Sequence, residues 1–385
     1  MDYSLSEELE MIRRMVREFA IDEVAPGAAL RDETERFDRP LFEVMGKLGL
    51  TGIAWAESYG GLGSDVVTNI MVLEELARAC ASTGYSLFVH SSLAGAAISM
   101  FGREEQKIKY LRPMAEGSKL GAYAWTELAH LTGTSGGELH TKTRRDGDHY
   151  VLQGDKFLVP NAGEADVYVV FAAMGDGPLA SVSTAFLIEK DTPGFMLGKS
   201  EQKLGTRGSP SMSVELDGCR IPADNRLGEE GDGHRIALRT LEGARSGIAA
   251  LAVGLAQAAM DAAIAYAKAR KQFGKPIAQQ QAIAFKLANM ATQIEAARWL
   301  TYQAAWRESE GVENGGSGET ANTNLFAGEM AMGVTLEAVQ IHGGYGYTKA
   351  FPVERYLRDA KMLQMVEATM DEQRRAIARV VNGAF

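Results

Sequence analysis

Apolar residues in the N-terminal part of the chain recur at helical spacing. Leu9, Ile12, Met15, Val16 and Phe19 fall on one stripe of a helix. Met71, Leu73 and Leu76, with Glu74 and Glu75 among them, predict another. Breaks at Pro26-Gly27, Gly60-Gly61-Leu62-Gly63 and Gly102 separate the helical stretches up to about Glu116.

From Gly121 to about Leu227 the pattern becomes that of strands. Tyr150-Val151-Leu152 and Lys156-Phe157-Leu158-Val159 predict strands flanking a turn at Gln153-Gly154-Asp155. Asp146-Gly147 is a hairpin dipeptide. Val167 to Phe171 and Ala185 to Ile188 read as buried strands, with turns at Asp191-Thr192-Pro193-Gly194 and Asp217-Gly218. Helical spacing returns from about Gly228. Ile283, Leu287, Met290, Ile294 and Ala297 then form an amphipathic stripe, and Gly311 to Gly318 connects two long helices. The fold class expected is α+β. Residues 1–120 form an all-α domain, 121–227 a β domain and 228–385 a four-helix-bundle domain.

Charge narrows the partners. A net charge of -10 over 385 residues argues against a general nucleic-acid binder, which needs a basic surface. It leaves room for one nucleotide cofactor, held by a few arginines and backbone donors. Cys80 and Cys219 lie far apart and suggest neither a disulfide framework nor a metal site. The acidic start of the chain is unlike a signal peptide. Ala249 to Ala265 is apolar but carries Gln257 and Asp261, so it reads as a buried bundle helix, not a membrane span. A soluble, cytoplasmic protein is expected.

The most specific strings lie in the C-terminal third. Arg270-Lys271-Gln272-Phe273-Gly274-Lys275-Pro276 is followed by Gln281, then by Gln340-Ile341-His342-Gly343-Gly344-Tyr345-Gly346-Tyr347. Pro352-Val353-Glu354-Arg355-Tyr356-Leu357-Arg358-Asp359-Ala360-Lys361 comes next. In this order the strings closely resemble the acyl-CoA dehydrogenase family of short- and medium-chain type. Glu57-Ser58-Tyr59-Gly60-Gly61-Leu62-Gly63 extends the resemblance over essentially the whole chain.

The resemblance implies helical, β and helical-bundle domains, a homotetramer, and FAD sites built partly across a subunit interface. The implied reaction is α,β-dehydrogenation of a short- or medium-chain acyl-CoA to the trans-2-enoyl thioester. An electron-transfer flavoprotein would take the electrons. By resemblance, Arg270, Gln272, Phe273 and Gln281 contact the FAD of a neighbouring subunit, and Gln340, Gly343 and Gly344 hold its nucleotide end. Tyr123, Trp125, Thr126, Gly133, Thr134, Leu158 and Pro160 fall on the flavin side. Ile277, Gln280, Thr369 and Asp371 complete the cofactor set. Arginine and glutamine side chains supply forked or paired donors for phosphate and base edges, and adjacent glycines let backbone N–H groups approach closely.

Glu367, in Met365-Val366-Glu367-Ala368-Thr369, stands where the family carries its catalytic base. A thioester α-proton is weakly acidic, so the carboxylate that removes it must be desolvated and its pKa raised. Glu242 and Arg245 fall on the segment that reaches the substrate in the family. Some relatives place their base just before this arginine, where this chain has Ala244.

The chain departs from the family pattern at the flavin face. Where a Thr-Glu-Pro stretch is usual it has Thr126-Glu127-Leu128, in a loop about two residues longer. Leu158-Val159-Pro160 replaces an aromatic, an aliphatic and a threonine. Proline has neither hydroxyl nor N–H, and the lost aromatic removes a ring that shields the flavin. Two alternatives therefore stand beside the dehydrogenase reading. One keeps the fold with changed chemistry or a carrier-protein thioester as substrate. The other is a non-catalytic partner subunit with impaired FAD binding.

Other signals are weaker. Gly133-Thr134-Ser135-Gly136-Gly137 fits a hydrolase nucleophile pattern, but that motif needs a helix after it, and Thr141-Lys142-Thr143 reads as a strand. His130 and His140 flank this loop and read as surface groups, and no histidine shows metal-ligand spacing.

Overall fold

The computed structural model describes residues 6–128, 139–175, 182–310, 318–366 and 370–383. The first helix, α1 (Glu7–Phe19), begins where the Ser6 hydroxyl accepts from the Leu9 N–H, with three glutamates in its first turn. After a π-helical turn at Ala20–Val24, the chain breaks at Pro26-Gly27 and continues as α2 (Ala28–Thr34) and α3 (Arg39–Lys47). Then come α4 (Val66–Ala79), α5 (Ala81–Phe88), a π-helical stretch Val89–Gly95, α6 (Ala96–Phe101) and α7 (Glu104–Ala115). Gly95 is required by packing: a Cβ there would lie 1.9 Å from the Trp55 ring.

An eight-stranded mixed sheet follows. Its strands are β1 (Gly121–Ala124), β2 (Lys142–Asp146), β3 (His149–Pro160) and β4 (Val167–Met174). They continue with β5 (Ser183–Glu189), β6 (Phe195–Ser200), β7 (Ser211–Pro222) and β8 (Arg226–Leu227). The spatial order is β6-β7-β3-β2-β4-β5-β8, with β1 parallel to β4. β2 and β3 are joined at Gly147 as the Asp146-Gly147 dipeptide predicts.

Two expected turns are instead interior to strands. Gln153-Gly154-Asp155 and Asp217-Gly218 face each other across an irregularity in the β3–β7 ladder. There the side-chain Oε1 of Gln153 accepts from the Gly218 N–H at 2.8 Å, and Gly154 and Gly218 take positive φ. Each dipeptide has turn chemistry, but the cross-strand partner converts it to a bulge.

The C-terminal helices are α8 (Gly233–Ala269), α9 (Gln281–Ser309), α10 (Gly318–His342), α11 (Val353–Leu363) and α12 (Met370–Asn382). A short hairpin of β9 (Lys271–Gln272) and β10 (Lys275–Pro276) separates α8 from α9. α8 is the central column. It is long and apolar enough to cross a membrane by composition, yet 67% of its apolar window is buried inside the protein. Small residues allow this burial: a Cβ on Gly254 would meet the Glu74 carbonyl oxygen at 2.1 Å, and one on Gly247 the Phe88 ring at 2.9 Å.

Candidate functional site

β1 leads into Trp125, Thr126 and Glu127. Trp125 packs edge-on against Phe171 at 5.0 Å, and the buried Tyr123 ring lies 5.2 Å from the same phenylalanine. The Thr126 carbonyl accepts from the Phe157 N–H at 2.8 Å, which brings the end of β3 beside it. Between Lys156 and Val159 the ladder is irregular. Leu158 takes φ 51° and turns outward, 39% exposed, while Lys156 and Val159 point inward. Pro160 stays in register with Ser211 and offers no N–H. The side-chain amide of Asn161 donates to the carbonyls of Ser86 and Gly121, tying this edge to α5 and β1.

Beneath the edge lies an ion pair that the sequence pattern did not single out. Lys156 Nζ donates to Glu127 Oε1 at 2.6 Å, with side chains 0% and 3% exposed. The carboxylate also accepts from the backbone N–H groups of His140 and Thr141. Burial opposes ionisation of Glu127, but the ammonium and these donors outweigh it and hold the carboxyl below its usual range. Burial pulls Lys156 down to about 8, with Glu127 opposing. The available signal was parity: Lys156 shares the inward phase of Tyr150 and Leu152.

Glu242 and Arg245 sit near the start of α8, both partly buried. Burial pulls the Arg245 guanidinium below its usual range, with Glu242 opposing. Glu308, at the end of α9, also reaches this stretch: its Oε1 is 3.1 Å from where a Gly243 Cβ would be. Burial pushes Glu308 up to about 7, opposed by the polar Ser246 side chain nearby. Two acids and a cation thus gather at one level of α8, and the sequence pattern gave no sign of Glu308.

The remaining expected cofactor residues lie on the C-terminal helices. Arg270, Gln272, Phe273 and Gln281 are exposed around the β9–β10 hairpin, with Phe273 90% exposed at φ 52°. Gln280 is partly buried, and Ile277 packs into the core while its N–H donates to the Arg270 carbonyl. Gln340, Gly343, Gly344 and Asp371 are exposed. Gly343 ends α10 in the left-handed conformation at φ 61°. Gly344 needs no such freedom, yet a Cβ on either glycine would meet nothing within 4 Å. Their backbone is open to approach from outside, which fits the dinucleotide cradle. Glu367, Thr369, Gly133, Thr134, Ser135 and His130 lie outside the described residues.

The histidines that are buried serve packing. His90 Nδ1 accepts from the Gly121 N–H, and burial drives its pKa down to about 3, so the ring is neutral. His342 stacks on Tyr266 at 4.4 Å. Among the described residues no group of three metal-ligating side chains forms. A cavity of about 660 Å³ between α1, α4, α8 and α9 carries Arg13, Arg17, Arg78 and Arg298. Each of these arginines has a carboxylate partner, so the cavity is not an anion site.

Fold and site define a class of three-domain proteins in which a β unit is clasped by two helical ones. The comparisons identify it. Residues 6–118, 122–219 and 231–382 match the N-terminal, middle and C-terminal domains of acyl-CoA dehydrogenase. The short-chain-specific acyl-CoA dehydrogenase of Clostridium acetobutylicum is 44% identical, over 98% of this chain and 99% of that protein. Butyryl-CoA dehydrogenase of Megasphaera elsdenii superposes with TM-score 0.94 at 41% identity, covering 99% of this chain and 100% of that one. A chain from the structural work on the electron-transferring flavoprotein of Acidaminococcus fermentans gives 0.94 at 44%, covering 99% of both. The chain belongs to the acyl-CoA dehydrogenase family.

Proposed function

We propose that this chain is an FAD-dependent dehydrogenase of short- or medium-chain acyl-CoA thioesters, yielding the trans-2-enoyl product. The full-length likeness to a short-chain-specific relative carries the reading. When bound, FAD supplies the hydride acceptor for the β-carbon. Glu367 takes the α-proton onto its carboxylate, with Val366 and Ala368 as apolar sequence neighbours that suit a dry site. Arg245, held in a partly dry setting beside Glu242, fixes the substrate side. Thr126 and Leu158 border the flavin, and the open backbone at Gly343 and Gly344 receives the nucleotide end.

The exposed Phe273 hairpin suits contact with a second copy, so the assembly proposed is a homotetramer with shared FAD sites. The partner proposed for the electrons is an electron-transfer flavoprotein, and the compartment the cytoplasm. Leu158 and Pro160 favour a second reading, in which the fold and FAD serve another reaction or a carrier-bound thioester.

The test is the visible spectrum of the purified protein before and after anaerobic butyryl-CoA. Bleaching of a band near roughly 450 nm, abolished in Glu367→Gln, is expected for a hydride-accepting flavin. A colourless protein that FAD does not reconstitute would sink the reading. A flavin that stays oxidised would favour the second one.

A further inference from the structure

The Glu127–Lys156 pair is an unusual use of two charges. Both are withdrawn from water, and the Lys156 ammonium donates to the Glu127 carboxylate at 2.6 Å. A buried pair of this kind is weak support for stability, because desolvation offsets much of the attraction; its best-attested use is to fix one arrangement over others. The placement here is specific. Glu127 follows Thr126 directly, Lys156 precedes Leu158 by two residues, and the Phe157 N–H to Thr126 carbonyl bond runs beside the pair. The same carboxylate accepts from His140 and Thr141, so it also fixes where β2 begins. Leu158 adopts its left-handed conformation one residue beyond Phe157.

We propose that the Glu127–Lys156 ion pair is a positioning device for the cofactor-facing edge of the β domain. It locks the backbone of Thr126 against that of Leu158, so that flavin affinity and flavin electronics depend on two residues that do not touch the cofactor. The inference rests on the FAD reading above. It also accounts for how the edge keeps one geometry without the proline and threonine that its sequence lacks.

The experiment compares wild type with Glu127→Gln/Lys156→Met, which removes both charges at similar volume, and with Lys156→Arg, which keeps the cation. FAD is titrated into each apoprotein, and the apoprotein melting temperature, flavin absorption spectrum and midpoint potential are recorded. The double variant is expected to fold with a melting temperature close to wild type, bind FAD at least about ten-fold more weakly, and shift both spectrum and potential. Lys156→Arg should recover part of the affinity. Wild-type affinity and potential in the folded double variant would overturn the proposal. So would losses of FAD affinity in all variants that merely track their melting temperatures, with spectrum and potential unmoved. Failure of wild type itself to bind FAD would instead defeat the FAD reading.

Discussion

Arg358 of α11 grips Asp32 of α2 with two guanidinium nitrogens, Nη1 to Oδ1 at 2.9 Å and Nη2 to Oδ2 at 2.6 Å. The next residue, Asp359, accepts from the Thr206 N–H in the loop between β6 and β7. Two adjacent residues of α11 therefore hold the N-terminal helices and the sheet together, a few residues before the segment that carries Glu367.

Asp32→Ala should loosen this junction. Its side chain is 10% exposed, and its loss leaves Arg358 with Glu354 and the Leu204 carbonyl. Removing one partner of a buried pair costs about 3–5 kcal/mol, and the remaining acceptors place the effect near the lower end. Guanidinium unfolding at neutral pH measures it; a change below roughly 1 kcal/mol would mean that the pair behaves as an exposed one.

Two carboxyls should make stability fall as pH rises. Burial pushes Asp359 up to about 6, against the Thr206 N–H, and Glu308 up to about 7. A folded pKa above the unfolded value, roughly 4, favours the protonated group. The contribution is complete below pH 4 and is lost as pH climbs through 6 for Asp359 and 7 for Glu308. Denaturant titrations between pH 4 and 8 should show a shallower fall for Asp359→Asn and for Glu308→Gln than for wild type. Parallel curves would contradict the assigned shifts.

Glycine positions separate packing from ligand approach. Gly95→Ala drives a Cβ into the Trp55 ring and should destabilise by about 1–3 kcal/mol or more. Gly344→Ala meets nothing within 4 Å and needs no left-handed backbone. It should leave chain stability within about 0.5 kcal/mol of wild type. If the nucleotide approaches this backbone, FAD affinity nevertheless drops at least about ten-fold. Unchanged affinity would move the cofactor away from Gly344.

Phe273→Ala removes a ring that is 90% exposed. Burial lost within the chain is negligible, so the folded chain should melt as wild type does. Sedimentation should show weaker assembly, and gel filtration more FAD lost, because the ring's apolar area is expected to be covered by a second copy. An unaltered oligomer that retains its flavin would place the interface elsewhere.

Much of this protein is legible along the chain. Helical stripes such as Ile283 to Ala297 and the apolar run Val167 to Phe171 take the structures their spacing predicts, because periodicity and burial face are local properties. The strings around Arg270, Gly343 and Arg358 carry the family, since each is a contiguous run of residue types. Tertiary structure decided what depends on a distant partner. Gln153-Gly154-Asp155 became a bulge only because β7 lies alongside and Gln153 meets Gly218. Lys156 looked like one more strand residue until Glu127, 29 positions earlier, met it in the interior. Asp359 and Glu308 gained their raised pKa values from helices and loops packed over them. Spacing fixes which face a side chain occupies; desolvation and pairing are set by what the folded chain brings against that face.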